Sequence, residues 1–203
     1  MNQQLKNEIP VWDIAVRIFH WALVAAFAIA YLTEDDFETP HVYAGYLLLG
    51  LISFRVVWGV IGTKHARFSD FVCRISTIKQ YLKSIFTGKP KHYIGHNPAG
   101  GLMIIVLLLS LFALSYSGLK TYAAEGKGPL ANIETSIVSS AYADDHHYRS
   151  GKNDFWEEIH EFLANFTLLL IFIHVAGVVL SSLLHQENLI RAMITGKKEL
   201  PPE

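Results

Sequence analysis

Four histidines carry the chemistry this chain can do. His160 and His174 stand fourteen residues apart in one apolar stretch, FLANFTLLLIFIHVAGVVLSSLL. Fourteen residues make almost four helical turns, so both rings leave one helix face, ~21 Å apart along the axis at ~1.5 Å per residue. A histidine inside a bilayer-length apolar segment is costly to place there and marks function. One helix thus offers two like ligands at two depths, the arrangement that two stacked haems require. His20 and His41 complete the set, each at the edge of another apolar segment.

The elements that must position them are legible in the hydropathy. Of 203 residues about half are hydrophobic (51%) and only 17% are charged, which is more apolar than a soluble domain. Four segments approach or exceed the ~18 apolar residues of a membrane span: 14–32, 41–62, 98–119 and 160–184. Asp13 is placed to cap the first. Thr39-Pro40 and Asn97-Pro98 each put a capping side chain before a proline suited to a first turn. Asp154 with Glu157 resembles a capping box that starts the fourth helix before the membrane. Gly118 marks the end of the third. The first segment contains Arg17 and His20 and runs long for a signal core, so it reads as a retained span.

Loop charges set the expected orientation. Residues 33–40, TEDDFETP, hold four acids and no Lys or Arg. Residues 63–97 carry Lys64, Arg67, Arg74, Lys79, Lys83, Lys89 and Lys91 against Asp70, and the tail adds Arg191, Lys197 and Lys198. Basic loops stay in the cytoplasm, so both termini are expected there and loops 33–40 and 120–153 face outward. The outer loop has no strong period. In the cytoplasmic loop, Phe71, Ile75, Ile78, Leu82 and Ile85 recur at helical spacing until Gly88 and Pro90. This predicts an amphipathic helix on the inner membrane surface, or one packed under the bundle.

Topology then pairs the histidines. His41 opens the second span and His160 the fourth, both at the outer level. His20 lies near the inner end of the first span, at the level of His174. Two bis-histidine sites result, one above the other. Haem iron accepts two imidazoles and is then closed to oxygen chemistry, which suits electron transfer. Zinc wants about four ligands at one depth, and His160-Glu161 does not open an H-E-x-x-H motif because Ala164 stands where its second histidine would be. The single Cys73 and the absence of C-x-x-C-H mean that the haems are held without thioether bonds.

Arg55 lies fourteen residues after His41, at the inner haem's depth; a haem propionate is a natural partner, with snorkelling to the headgroups as the alternative. Arg17, one turn before His20, has the same two readings. Gly45 and Gly177 leave room for a flat macrocycle beside the ligand helices, as close helix packing also would. His65, His92 and His96 read as solvated or interfacial, and His146-His147 as plain surface. His185, eleven residues past His174, suits a quinone pocket, a propionate or nothing. Net charge of −1 and the lack of a basic block exclude nucleic acid.

VWDIAVRIFHW, HVYAGYLLLGLISFRVVWGVIG, HNPAGGLMIIVLLL and IHEFLANFTLLLIFIHVAGVVLSSLLHQENLIRAMITGKK together resemble the prokaryotic cytochrome b561 family. The b-type cytochrome subunits of nickel–iron hydrogenases and formate dehydrogenases share that architecture. The resemblance covers 11–62, 95–119 and 158–198. It implies an all-α integral membrane four-helix bundle, one domain over 1–203, binding two non-covalent haems b in the bacterial inner membrane. The implied ligands are His20 with His174 and His41 with His160; Arg55 matches a family arginine. It further implies electron transfer between the membrane quinone pool and a periplasmic redox partner such as a c-type cytochrome. The opening segment looks more like the free-standing branch than the hydrogenase branch. The rival readings are a haem-bearing anchor of a hydrogenase or dehydrogenase, with a periplasmic catalytic subunit, and a non-redox transporter using histidines for protons.

Overall fold

A computed structural model describes residues 8–34, 36–88, 91–131 and 146–199. The elements in order are strand β1 (Glu8–Pro10), helices α1 (Ile14–Leu32) and α2 (Glu38–Ile61), a 3-10 turn at Lys64–Ala66, and helices α3 (Phe68–Phe71) and α4 (Ile75–Phe86). Then come α5 (Pro98–Ala124), α6 (His146–His185), α7 (Leu189–Thr195) and strand β2 (Lys197–Glu199). Four stretches are long and apolar enough to cross a membrane: α1, α2, α5 and Phe155–His185 of α6. Their outward faces expose Ile18, Leu47, Val56, Leu109, Phe172 and many similar side chains. In water such faces would not stay bare; in lipid they are the solvent-facing side. The chain is a multi-pass, all-α membrane protein.

The residues group into two compact units. One comprises 1–25, 50–106 and 171–203, the other 26–49 and 107–170. Each spanning helix contributes a segment to each unit. In the second unit the buried positions are mostly small or slender: Ala26, Ala44, Ser110, Ser117, Ala164 and Thr167. Small residues let backbones approach closely, which is how helices associate where lipid is as apolar as leucine.

Helix ends test the capping expectations. Asp13 Oδ1 accepts from the Val16 N–H at 2.8 Å, and Asn97 Oδ1 accepts from the Gly100 N–H at 2.7 Å, so both caps stand. Thr39 is not a cap: α2 begins at Glu38, with the His41 N–H bonded to the Phe37 carbonyl at 3.2 Å. Pro40 still falls in the first turn, where its missing N–H costs nothing. Asp154 is inside α6, which starts at His146. Gly118 does not end α5, which continues to Ala124. A glycine within an apolar helix signals close approach as readily as termination. Of the segment 120–153, residues 132–145 lie outside the described residues.

The helix expected within residues 63–97 is two helices, α3 and α4, broken at 72–74 by extended backbone at Val72 and Arg74. Phe71, Ile78 and Tyr81 are buried, whereas Ile75 and Leu82 are exposed. Beyond the all-α expectation there is one short ribbon: β1 pairs antiparallel with β2, Ile9 opposite Lys198. Gly196 fixes it. Its φ of +82° is the left-handed helix terminus of α7, and its carbonyl accepts from Val11 and Trp12 at 2.8 and 3.0 Å. A Cβ there would meet the Trp12 carbonyl oxygen at 2.6 Å.

Candidate functional site: two histidine pairs

In the second unit, α2 and α6 bring His41 and His160 together. Their ring centres are 6.0 Å apart and the planes nearly perpendicular, at 83°. Each ring is oriented by its own Nδ1. His41 Nδ1 donates to the Ala30 carbonyl at 2.8 Å. His160 Nδ1 lies 3.1 Å from the Leu114 carbonyl and 3.0 Å from Ser117 Oγ, which itself donates to Leu114. Tying Nδ1–H to a carbonyl fixes the tautomer and leaves Nε2 as the nitrogen available to a metal. Both rings line a cavity of about 720 Å³, counted to its open mouth, with Gly45, Leu48, Leu114, Gly118 and Ala164 among its walls. Phe27, Tyr31, Glu34, Tyr46 and Tyr122 also line it; no lysine or arginine does.

Two glycines shape this cavity differently. A Cβ on Gly45 would meet nothing within 4 Å, so that position opens onto the space. A Cβ on Gly118 would stand 2.8 Å from Cε1 of His160. Gly118 therefore lets the His160 ring approach α5 closely. Sequence reading missed it; the cue was the small-residue run Ser115, Ser117, Gly118 in an otherwise bulky helix.

The first unit holds His20 on α1 and His174 on α6, close enough that a charge on one is felt by the other. Here the His20 ring is not tied. His20 Nδ1 is buried without a hydrogen-bond partner. Two arginines share the condition. Arg17 Nε is buried and unpartnered. Arg55 is only 3% exposed, with its guanidinium over the Phe68 ring at 5.0 Å and near Phe71 at 6.0 Å, and its Nη1 has no acceptor. Snorkelling is thereby corrected: Arg55 is enclosed by aromatic rings rather than reaching out to water. The closest acid to act on it, Asp13, is engaged by the Val16 N–H, Trp58 Nε1 and Thr63 Oγ1. Burial pushes the Asp13 carboxyl up, but those hydrogen bonds outweigh it and hold it below the usual value.

His96 is a second correction. It is not a solvated loop residue. Its ring packs at a tilt against Trp12, with centroids 4.4 Å apart, and Phe71, at 4.8 Å, and its Nδ1 is buried without a partner. Burial, then the charges of Arg55 and Lys198 and the neighbouring His65 and His174, push it down to about 3. His65 bonds Asp70 at 2.9 Å. His92 bonds Glu187, and its ring centre is 5.3 Å from that of His185. The His146-His147 side chains lie outside the described residues. Gly177, like Gly45, has open space where a Cβ would be.

The His41–His160 pair has the spacing that a b haem would need. A metal–imidazole bond of ~2 Å, plus ~1 Å from nitrogen to ring centre, sets two trans imidazoles ~6 Å apart. The His41–His160 separation matches. In the other unit, unpaired Arg55 and Arg17 atoms are what carboxylate-bearing macrocycle edges would satisfy. Among the described residues no group of three or more His, Cys, Asp or Glu side chains gathers to hold an ion.

A family model described as prokaryotic cytochrome b561 matches residues 11–196. The probable Ni/Fe-hydrogenase B-type cytochrome subunit of Rhizobium leguminosarum bv. viciae is 23% identical over 227 residues, covering 95% of this chain and 90% of that one. Its namesake in Azotobacter chroococcum mcd 1 is 28% identical over 152 residues, 61% of this chain and 62% of the relative. The Rhodobacter capsulatus protein of the same name is 21% identical over 223 residues, 95% of this chain and 82% of its own. No solved structure matches.

Proposed function

We propose, since this chain belongs to the prokaryotic cytochrome b561 family, that its membrane electron transfer runs on two bis-histidine haems b. His41 and His160 ligate one, His20 and His174 the other. The observation that carries the reading is the His41–His160 pair, with ring centres 6.0 Å apart across a cavity and both Nδ1 atoms engaged. Bound between such pairs, haem b supplies a one-electron iron couple with no open coordination position.

The chain's own residues do the rest. Ala30 and Leu114 carbonyls hold two ligand rings in one tautomer, so no ring turns when the charge at the site changes. Arg55 and Arg17 supply donors for propionates and raise the local potential around the His20–His174 site. The apolar walls at Leu48, Leu114 and Ala164 keep water from the His41–His160 site, where a low dielectric strengthens every fixed dipole.

We further propose that the Lys/Arg-rich segments, and with them both termini, lie in the cytoplasm of a bacterium whose inner membrane holds the chain. Electrons would pass between the quinone pool and a periplasmic redox protein. The second reading is a hydrogenase anchor: the relatives above carry that name. Co-purification separates the two, since an anchor brings a catalytic subunit with it. Membership in a cytochrome family argues against the non-redox transporter. The ligand assignment is tested by His174→Ala, which is expected to halve the pyridine haemochrome yield per chain. Full yield from that variant would refute the pairing.

A further inference from the structure

We infer that His96 is a carboxylate-holding residue of the His20–His174 haem site, with its Nδ1–H donating to a propionate that Arg55 also binds. The inference rests on the haem reading above and adds a residue to it.

The ring is placed with care. Its neighbour Asn97 is pinned as the cap of α5. Trp12, from the segment before α1, and Phe71, from α3, pack against it. Phe71 also adjoins the Arg55 guanidinium, so Arg55 and His96 border one aromatic side chain. His96 is close enough to His174 for an electrostatic interaction. It is therefore within electrostatic reach of both a histidine of the proposed ligand pair and a buried arginine.

What is missing around it is an anion. Every other charged or titratable group that acts on His96 has a partner, except Arg55 and the ligand His174. Lys198 Nζ pairs with Glu187 at 3.1 Å and donates to the Tyr93 carbonyl at 3.3 Å. His65 bonds Asp70. Asp13, the acid acting on Arg55, is engaged by Val16, Trp58 and Thr63. Arg55 Nη1 and His96 Nδ1 stay without acceptors. Buried donors do not persist unpaired in a native protein. Two orphaned donors around one aromatic ring, beside a haem ligand, describe a seat for a carboxylate. Because burial keeps the imidazole neutral, His96 donates one hydrogen bond without adding a second charge to Arg55.

The test uses full-length, haem-replete protein and the variants His96→Phe and His96→Asn. Phenylalanine keeps the aromatic packing and removes the donor; asparagine places an amide N–H near the position of Nδ1. Haem per chain and both midpoint potentials are measured. Loss of the donor lowers the positive potential that favours the added electron. His96→Phe is thus expected to lower one midpoint potential and leave the other in place, and His96→Asn to restore it. If His96→Phe also loses one haem, retention of both by His96→Asn gives the same support. Two haems with unmoved potentials in His96→Phe, or His96→Asn behaving like His96→Phe, would overturn the assignment alone. Wild-type protein without haem would overturn the reading beneath it, and this inference with it.

Discussion

The two histidine pairs are held in opposite ways. His41 and His160 are tied through Nδ1 to Ala30 and Leu114, and the cavity they share is lined by tyrosines and Glu34. His20 has no such tie, and its unit contains Arg17, Arg55 and His96 with buried atoms lacking partners. In the His41–His160 unit both rings are hydrogen-bonded and the unpartnered buried atoms are neutral hydroxyls, Ser115 Oγ and Thr167 Oγ1. In the other the unpartnered atoms include those of two cations, Arg17 Nε and Arg55 Nη1. The difference teaches that a four-helix membrane protein can build two like centres with unlike surroundings. Fixed cations near one centre and none lining the other predict different midpoint potentials, the His20–His174 centre having the higher.

The comparison breaks most completely at the ligands. His160→Ala is expected to abolish one haem of two and leave the other's spectrum and potential intact, just as His174→Ala removes the second. Gly118→Leu should come next. It keeps both ligands but drives a side chain into the His160 ring, where even a Cβ would be 2.8 Å from Cε1. Occupancy of the His41–His160 site should fall sharply, read as haem per chain, with the other site spared.

Arg55→Leu should keep both haems yet lower the potential of the His20–His174 centre alone. That fixed cation favours the reduced over the oxidised state, so its loss should lower the midpoint by about 60 mV in redox potentiometry, roughly tenfold in the one-electron equilibrium. Ser117→Ala is expected to do less. His160 Nδ1 retains the Leu114 carbonyl, so haem content stays at wild type and the potential moves less than in Arg55→Leu.

The smallest effect lies outside both sites. Asp13→Ala should cost about 1 kcal/mol as a lost helix cap, seen as a lower midpoint in thermal unfolding. Because the folded Asp13 carboxyl is held below its unfolded value, its contribution is present above about pH 4. It is lost as pH falls through the folded value. The difference between wild type and Asp13→Ala should therefore shrink under acid.

Much of this was legible because membranes simplify sequence. Bilayer length and the loss of water as a partner point to four spans: the first has the bounds of α1 and the second lies close to α2, but α5 runs to Ala124 rather than 119 and α6 starts at His146 rather than 160. A fourteen-residue spacing put two histidines on one helix face, and alternating topology named their partners, of which His41 and His160 now stand ring to ring. The failures have physical causes. Gly118 reads as a helix end because glycine breaks helices in water; in lipid it is a surface for close approach. His96 reads as a loop residue since it precedes a helix cap amid polar residues, and only Trp12 and Phe71, distant in sequence, enclose it. The ribbon of β1 and β2 is three residues on each side, too short for any period, and depends on Gly196.

The most direct test is the dithionite-reduced minus oxidised visible spectrum of detergent-purified, haem-replete protein, with haem and protein quantified together. Two b haems per chain, resolving into two potentials, is the result predicted from two differently furnished histidine pairs. One haem per chain, or none, would contradict it.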